Sequence, residues 1–155
     1  MMKQEKKRLS VSALQNGTVI DHIPSKHLFK VISILGLNKI SNQITFGGNL
    51  NSETQGKKAI IKVSELFFEQ DDINKIALVA PDATLNIIKD YEVVEKKVVQ
   101  VPQSIKGIAK CVNPKCITNH EDIPTKFNVV TNNDEISLKC HYCEKITDQE
   151  HLYIP

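Results

Sequence analysis

The segments Cys111-Val112-Asn113-Pro114-Lys115-Cys116 and Cys140-His141-Tyr142-Cys143 decide how this chain is organised. They contain all four cysteines of the sequence, and residues 1–110 contain none. Two short cysteine pairs, separated by residues 117–139, are spaced as the two knuckles of a four-thiolate metal site. The pattern predicts one structural Zn²⁺ per chain, held by Cys111, Cys116, Cys140 and Cys143.

Other interpretations of these cysteines stay open from the sequence. They are unligated thiols or two disulfides, or a thiol oxidoreductase that uses Cys140 and Cys143. No βαβ pattern follows Cys140, which disfavours the redox site. A catalytic zinc needs an open position, and four cysteines leave none. We interpret His120, His141 and His151 as surface or outer-sphere residues, with a fourth-ligand role as the alternative.

Composition and charge exclude several classes of protein. The chain has 155 residues, of which 41% are hydrophobic and 25% charged, as in an average globular protein. Long disordered tails, collagen-like repeats and membrane proteins are excluded. The N-terminus MMKQEKKRL has no apolar core of a signal peptide, and no apolar run approaches about 18 residues. We therefore expect a cytoplasmic protein with reduced thiols and no membrane partner.

A proline after a valine-rich run, at Val101-Pro102-Gln103-Ser104, marks the boundary between two units. Residues 1–103 carry 14 basic and 11 acidic residues, a net charge of +3, and residues 104–155 carry 6 and 7, a net charge of −1. The second unit is too small to bury a large core, so a metal is expected to stabilise it. Its negative charge predicts a protein partner and no nucleic acid. A zinc-ribbon nucleic-acid-binding protein is the alternative.

Hydrophobic periodicity predicts the fold of the first unit. In chain order, we first expect strands at Leu9–Leu14 and Thr18–Ile20, followed by a helix whose apolar positions run from Leu28 to Leu35 and which stops at Gly36. A strand Ile44–Phe46 then ends at Gly47-Gly48, and a polar loop at 51–58 leads to a strand Ala59–Val63. A helix Glu69–Ile76 and strands Ala83–Ile88 and Tyr91–Val101 follow. This order predicts an α+β fold, with an N-terminal ferredoxin-like βαββαβ sandwich and a small C-terminal all-β zinc-ribbon-like domain. One sheet face would be free for a ligand or a second subunit.

The quoted cysteine segments occur together with Gly17-Thr18-Val19-Ile20-Asp21-His22-Ile23-Pro24, Ala80-Pro81-x-Ala83-Thr84-x-Asn86 and Tyr91-Glu92-Val93-Val94. In this order, and over almost the whole length, the chain resembles the regulatory chains of aspartate carbamoyltransferase. The resemblance implies a non-catalytic allosteric subunit of pyrimidine biosynthesis, with a nucleotide-binding domain at 1–103 and a zinc-binding domain at 104–155 that docks on the catalytic chain. It also implies CTP and ATP as competing effectors, UTP and Mg²⁺ alongside them in some members, regulatory homodimers, and a holoenzyme of two catalytic trimers and three regulatory dimers.

No Walker or Rossmann glycine motif is present, so no such motif locates a nucleotide site. The nucleotide-binding positions are instead those that the resemblance implies. It implies phosphate contacts for Lys96 and His22, and ribose or base contacts for Asp21, Lys62 and Asn86. It implies an apolar wall and backbone groups around the base from Val11, Leu14, Val19, Ile88, Tyr91 and Val93. Lys58 matches a position associated with a second nucleotide and Mg²⁺. The resemblance implies a small residue at the position next to Lys96, but this chain has Glu95 there. This difference predicts a carboxylate near the phosphates.

Overall fold

The computed structural model describes residues 14–52, 56–133 and 135–155. In its first part the elements are β1 (Gly17–Pro24), α1 (Leu28–Ile34), β2 (Ile44–Ser52), β3 (Gly56–Ser64), α2 (Gln70–Lys75), β4 (Thr84–Lys89) and β5 (Glu92–Val98). The described strands of this part form one antiparallel sheet in the order β2-β3-β1-β4-β5. The predicted βαββαβ order is therefore confirmed, with β5 as the further strand at one edge.

The helices cover one face of this sheet. Ile20 of β1 pairs with Ile61 of β3 and with Leu85 of β4, and all three side chains are fully buried. They share one core with Val31 of α1 and Ile73 of α2. Because successive side chains of a strand point to opposite faces, the residues that alternate with this row lie on the other face. That face is where the candidate site is found.

Gly17 begins β1 at a position that only glycine tolerates. Its φ is +147°, and a Cβ built on it would lie 2.1 Å from the carbonyl oxygen of Val63. The absence of a Cβ lets the chain enter the sheet here in close contact with β3. The predicted strand Leu9–Leu14 lies, except for Leu14, outside the described residues.

The prediction that the strand beginning at Ile44 ends at Gly47-Gly48 is wrong, and so is the prediction of a loop over all of 51–58. β2 continues to Ser52, and β3 already begins at Gly56. The glycines lie at a shift of register between Gly47 and Leu50, where Asn49 has a φ of +57° and its N–H donates to the Ser25 hydroxyl at 2.7 Å. Glycine marks a bulge in an edge strand here, not a strand end.

The first helix ends as predicted and exposes one of its apolar residues. Gly36 follows the helix in the left-handed conformation, with a φ of +67°. Leu28 and Val31 are buried, but the Phe29 side chain is 68% exposed. Phe29 contacts Phe46 of β2 edge-on, with ring centroids 6.0 Å apart. These rings form an apolar surface beside the edge strand β2.

The second part of the chain is a small all-β unit, as predicted. β6 (Ser104–Lys106), β7 (Lys126–Asn132), β8 (Glu135–Cys140) and β9 (Ile146–Asp148) form an antiparallel sheet in that order. Phe127, Leu138 and Cys140 are its buried centre. No helix among the described residues combines the length and apolar character needed to cross a bilayer.

Candidate functional site

The four cysteines converge at one end of the C-terminal sheet. Cys111 and Cys116 lie in the loop between β6 and β7, Cys140 ends β8, and Cys143 lies in the turn before β9. The four Sγ atoms all lie within 4.8 Å of one another, with Cys111 and Cys143 3.6 Å apart and Cys116 and Cys140 3.7 Å apart.

These distances fit a tetrahedral thiolate site. Four sulfurs about 2.3 Å from one Zn²⁺ lie about 3.8 Å from each other, close to the observed separations. A disulfide would need about 2.05 Å, and all four cysteines are free. The disulfide alternative is therefore wrong for these described residues. A closed set of four sulfurs supplies structure and leaves no position for a substrate or water.

Burial and hydrogen bonding determine how readily the thiols of the cluster ionise. Burial raises the pKa of Cys111 to about 12 and also raises the pKa of Cys140. Burial likewise raises the pKa of Cys143, but hydrogen bonds from the Asn113 side chain and the Lys145 backbone outweigh it and lower that pKa to about 7. Buried thiols of this kind become thiolates when a metal ion supplies the compensating charge.

Backbone hydrogen bonds shape the two knuckles. The Cys116 N–H donates to the Asn113 carbonyl at 3.0 Å, and the Asn119 side chain donates to the carbonyls of Cys111 and Asn113 at 2.9 and 2.8 Å. The Glu144 N–H donates to the Cys140 carbonyl at 3.0 Å. The loop from Asn113 to Asn119 is therefore held to the first cysteine pair, so its shape depends on the cluster.

The three nearby histidines have partners other than the sulfurs. The His120 ring lies 2.8 Å from the Pro114 carbonyl oxygen, and the His151 ring pairs with Asp148 at 2.6 Å. The His141 ring packs edge-on against Tyr142. Among the described residues, the group that could hold a metal ion consists of the four cysteines alone.

A second candidate site lies on the sheet face opposite the helices. Register aligns a row of side chains across all five described strands: Thr45 pairs with Lys62, Lys62 with Val19, Val19 with Asn86, and Asn86 with Lys96. Directly paired residues share a face. Two lysines and a carboxamide that are far apart in sequence are thus placed in one line.

A bulge in β1 adds charged groups beside this row. Register shifts between Ile20 and Ile23, and His22 has a φ of +60°. The His22 N–H donates to an Asp21 carboxylate oxygen at 2.6 Å, and the His22 ring lies 3.1 Å from the Thr84 hydroxyl. Asp21 also pairs with Lys58, at 3.0 Å. The bulge brings a carboxylate, an imidazole and an ammonium group to one end of the face.

The other end of the face is a small cavity. Ile88 pairs with Val93, and the Tyr91 N–H donates to the Gln15 carbonyl at 3.0 Å. The cavity has a volume of about 200 Å³ and is lined by Leu14, Gln15, Gln43, Thr45, Lys62, Ser64 and Tyr91. The Tyr91 amide is therefore occupied by a hydrogen bond within the chain. Val11, the remaining predicted wall residue, lies outside the described residues.

Polar groups within the face are buried. Lys62 is only 6% exposed, and burial lowers its pKa. The carboxamide oxygen of Asn86 is buried with no hydrogen-bond partner among the described residues. An unsatisfied buried acceptor destabilises a protein unless a ligand or water satisfies it. This face therefore carries the polar groups of a binding site.

Register also corrects the expectation for Glu95 and adds residues that sequence reasoning missed. Glu95 pairs with Ile87, so it lies on the face opposite to Lys96. Its carboxylate does not share the face of the row, contrary to the prediction. Thr45 and Thr84 do share it. Strand pairing places both on this face, because the sequence assigns a binding role to neither.

Comparisons with known proteins agree over nearly the whole chain. Residues 9–100 match the family model "Aspartate carbamoyltransferase regulatory chain, allosteric domain", and residues 103–153 match "Aspartate carbamoyltransferase regulatory chain, metal binding domain". The chain is 51% identical to an aspartate carbamoyltransferase regulatory chain of Parabacteroides distasonis and 54% identical to one of Bacteroides fragilis, with 99% of each chain covered. It is 51% identical to one of Pyrococcus horikoshii, covering 93% of this chain and 95% of the relative.

Proposed function

Since the chain belongs to the aspartate carbamoyltransferase regulatory chains, which are regulatory rather than catalytic subunits, we propose that CTP and ATP compete for its open sheet face. Bound nucleotide shifts the catalytic chains between two quaternary states. A ligand can do this only if it binds the two states unequally. The coupling is expected to be about 5- to 150-fold in affinity. The family implies a catalytic chain as the partner.

The row of Lys62, Asn86 and Lys96 is the observation that carries this proposal. Lys96 supplies a positive charge to a triphosphate. The unsatisfied Asn86 oxygen accepts a hydrogen bond from an exocyclic amine, which cytosine and adenine both carry and uracil lacks. Asp21 and His22, at the bulge, serve the ribose and the phosphates. Val19, Ile88 and Val93 supply the apolar wall.

The different sizes of the two bases provide the differential signal. The turn between β4 and β5 is tied to the segment before β1, because the Tyr91 N–H donates to Gln15 and the Asp90 N–H donates to the Asn16 side chain at 3.1 Å. A larger base in the cavity beside Leu14 and Tyr91 moves these segments together. The movement reaches the sheet through β4 and β5.

Zn²⁺ is the metal we assign to the four cysteines, one ion per chain. The sulfur separations and the all-thiolate donor set support this choice. Bound zinc supplies rigidity. The loop Asn113 to Asn119 and the segment after Cys143 then dock on the catalytic chain, and exposed Ile117, Tyr142 and Ile146 provide its apolar contacts. We place residues 1–103 in the nucleotide domain, residues 104–155 in the docking domain, and the protein in the cytoplasm.

Equilibrium binding tests the nucleotide site. We expect the purified chain to bind CTP in a calorimetric titration, and excess ATP to displace it, because both occupy one face. UTP should compete less well, since it offers Asn86 an acceptor where CTP offers a donor. Simultaneous saturation by CTP and ATP would contradict a shared site.

The regulatory chains pair as homodimers, and three such dimers bridge two catalytic trimers. The surface formed by Phe29 and Phe46 supports this arrangement, because an exposed apolar patch favours a second copy when it lies beside a strand that is at the edge of the sheet among the described residues.

Substituting Phe46→Glu is expected to convert the dimer to a monomer, since it places a charge in the centre of this surface. Sedimentation of the isolated chain measures the change. Phe67→Glu is the matched control, because Phe67 is 45% exposed and its ring contacts Lys89 elsewhere on the surface. A Phe46→Glu chain that sediments as the wild type does would exclude this surface.

A further inference from the structure

The helical segment Gln70–Leu78 is attached to both parts of the chain. It consists of α2 and a 3₁₀ turn at Ile76–Leu78. In α2, the Asn74 side-chain oxygen accepts hydrogen bonds from the Gln100 N–H at 3.1 Å and from the Gln70 side chain at 2.8 Å. Asn74 thereby fixes the helix to the chain that leaves β5, the strand that carries Lys96.

At its other end, the segment is attached to the C-terminal unit. The Gln149 side-chain amide donates to the Leu78 carbonyl at 2.6 Å, across 71 residues of sequence. Gln149 is half-buried, and Leu78 is fully buried. The turn that carries Gln149 is held by Asp148, which accepts a hydrogen bond from the His151 N–H at 2.9 Å. The donor is therefore presented from a constrained turn directly after β9.

The helix and the C-terminal unit are separated in part by open space. A cleft of about 320 Å³ lies between them and is lined by Asp71, Asn74 and Lys75 on the helix side and by Ser104, Ile105 and Lys106 on the other side. Charged and polar groups face it from both sides. The bond from Gln149 to Leu78 is directional, so it favours one arrangement of the helix and the C-terminal unit.

We propose that Gln149 is a positioning residue that links the two units and transmits a nucleotide-induced displacement of the segment Gln70–Leu78 to the metal-binding unit. The displacement enters through β5 and Asn74 and leaves through the Leu78 carbonyl. Gln149 does not touch nucleotide, metal or substrate in this account. The inference rests on the proposed function, because it needs a nucleotide signal to transmit.

The test replaces the donor without changing the shape of the side chain. Gln149→Glu removes the N–H and places a carboxylate against the Leu78 carbonyl, whereas Gln103→Glu makes the same chemical change at an exposed position between the units. The readout is the factor by which CTP changes the half-saturating aspartate concentration of the reconstituted holoenzyme. In Gln149→Glu, we expect this factor to fall to less than about half of its wild-type value. Gln103→Glu should keep that factor, and Gln149→Lys, which restores a donor, should recover most of it.

Two further measurements separate transmission from general damage. The isolated Gln149→Glu chain should bind CTP with the wild-type Kd and retain its full metal content. A wild-type CTP effect in the Gln149→Glu holoenzyme would overturn the inference, and so would loss of CTP binding or metal in the isolated variant. If the wild-type chain itself fails to bind CTP, the proposed function fails, and the inference falls with it.

Discussion

The Cys140→Ser chain is expected to lose its metal and to release the catalytic partner as free trimers. Cys140 is fully buried, and its sulfur lies 3.7 Å from that of Cys116. Structural zinc contributes about 10–16 kcal/mol to folding of small zinc domains, which matches or exceeds the whole stability of about 5–15 kcal/mol of an ordinary domain. A unit as small as residues 104–155 cannot replace that contribution with its own core.

Metal analysis and gel filtration measure this outcome. We expect less than one Zn²⁺ per variant chain and elution of catalytic trimers that remain active. Treating the wild-type complex with a thiol reagent should produce the same trimers. His141→Ala is the control for metal retention, because His141 lies in the same turn and its ring packs on Tyr142. A stable complex without metal would show that the cysteine-held loops are not the docking element.

The second large effect is expected at Lys96. Lys96→Ala should abolish nucleotide regulation while leaving assembly intact, because Lys96 is exposed on the open face and pairs with Asn86, far from the cysteine cluster. A hydrogen bond to a charged group contributes about 1.5–3 kcal/mol, so CTP affinity should fall about 10- to 150-fold.

Lys97→Ala is the matched control for this substitution. Lys97 pairs with Leu85, whose side chain is in the core, so it lies on the opposite face from Lys96. It should leave both CTP binding and assembly unchanged. Calorimetry on each variant and activity assays of each reconstituted complex measure the effects. An undiminished CTP response in the Lys96→Ala complex would show that the phosphates do not bind on the open face.

Local patterns were sufficient to predict most of the elements. The apolar run Ala59–Val63 predicts a strand, and Asp71 and Asp72 at the start of Glu69–Ile76 predict a helix, which the structure has in both places. β2 was shortened, since its glycines indicate a turn when only neighbouring residues are considered. The turn between β4 and β5 has no glycine: Asp90 and Tyr91 both adopt positive φ, at +52° and +67°. Such a turn is usually signalled by Asn-Gly or Asp-Gly, and here it has no sequence signature.

The two candidate sites differ in how far sequence could predict them. The cysteine spacing is local and predicts the four members of the cluster directly, and the structure brings the same four together. The open face is made by pairing among strands far apart in sequence, so Lys62 and Lys96 were connected only by resemblance to a family. Glu95 and Lys96 lie on opposite faces because side chains alternate along β5. The register of β5 against β4 decides which of the two lies on the open face, and a bulge between Ile87 and Ile88 shifts that register. The bond from Gln149 to Leu78 spans 71 residues and has no motif.

Titrating CTP and ATP into the reconstituted holoenzyme tests most directly whether this chain converts nucleotide binding into control of its partner. Activity is measured at an aspartate concentration below half-saturation, with free catalytic trimers as the control. We expect each nucleotide to change the activity of the holoenzyme and ATP to reverse the effect of CTP by competition, while the trimers do not respond. Activity of the holoenzyme that stays constant across both titrations would contradict this expectation.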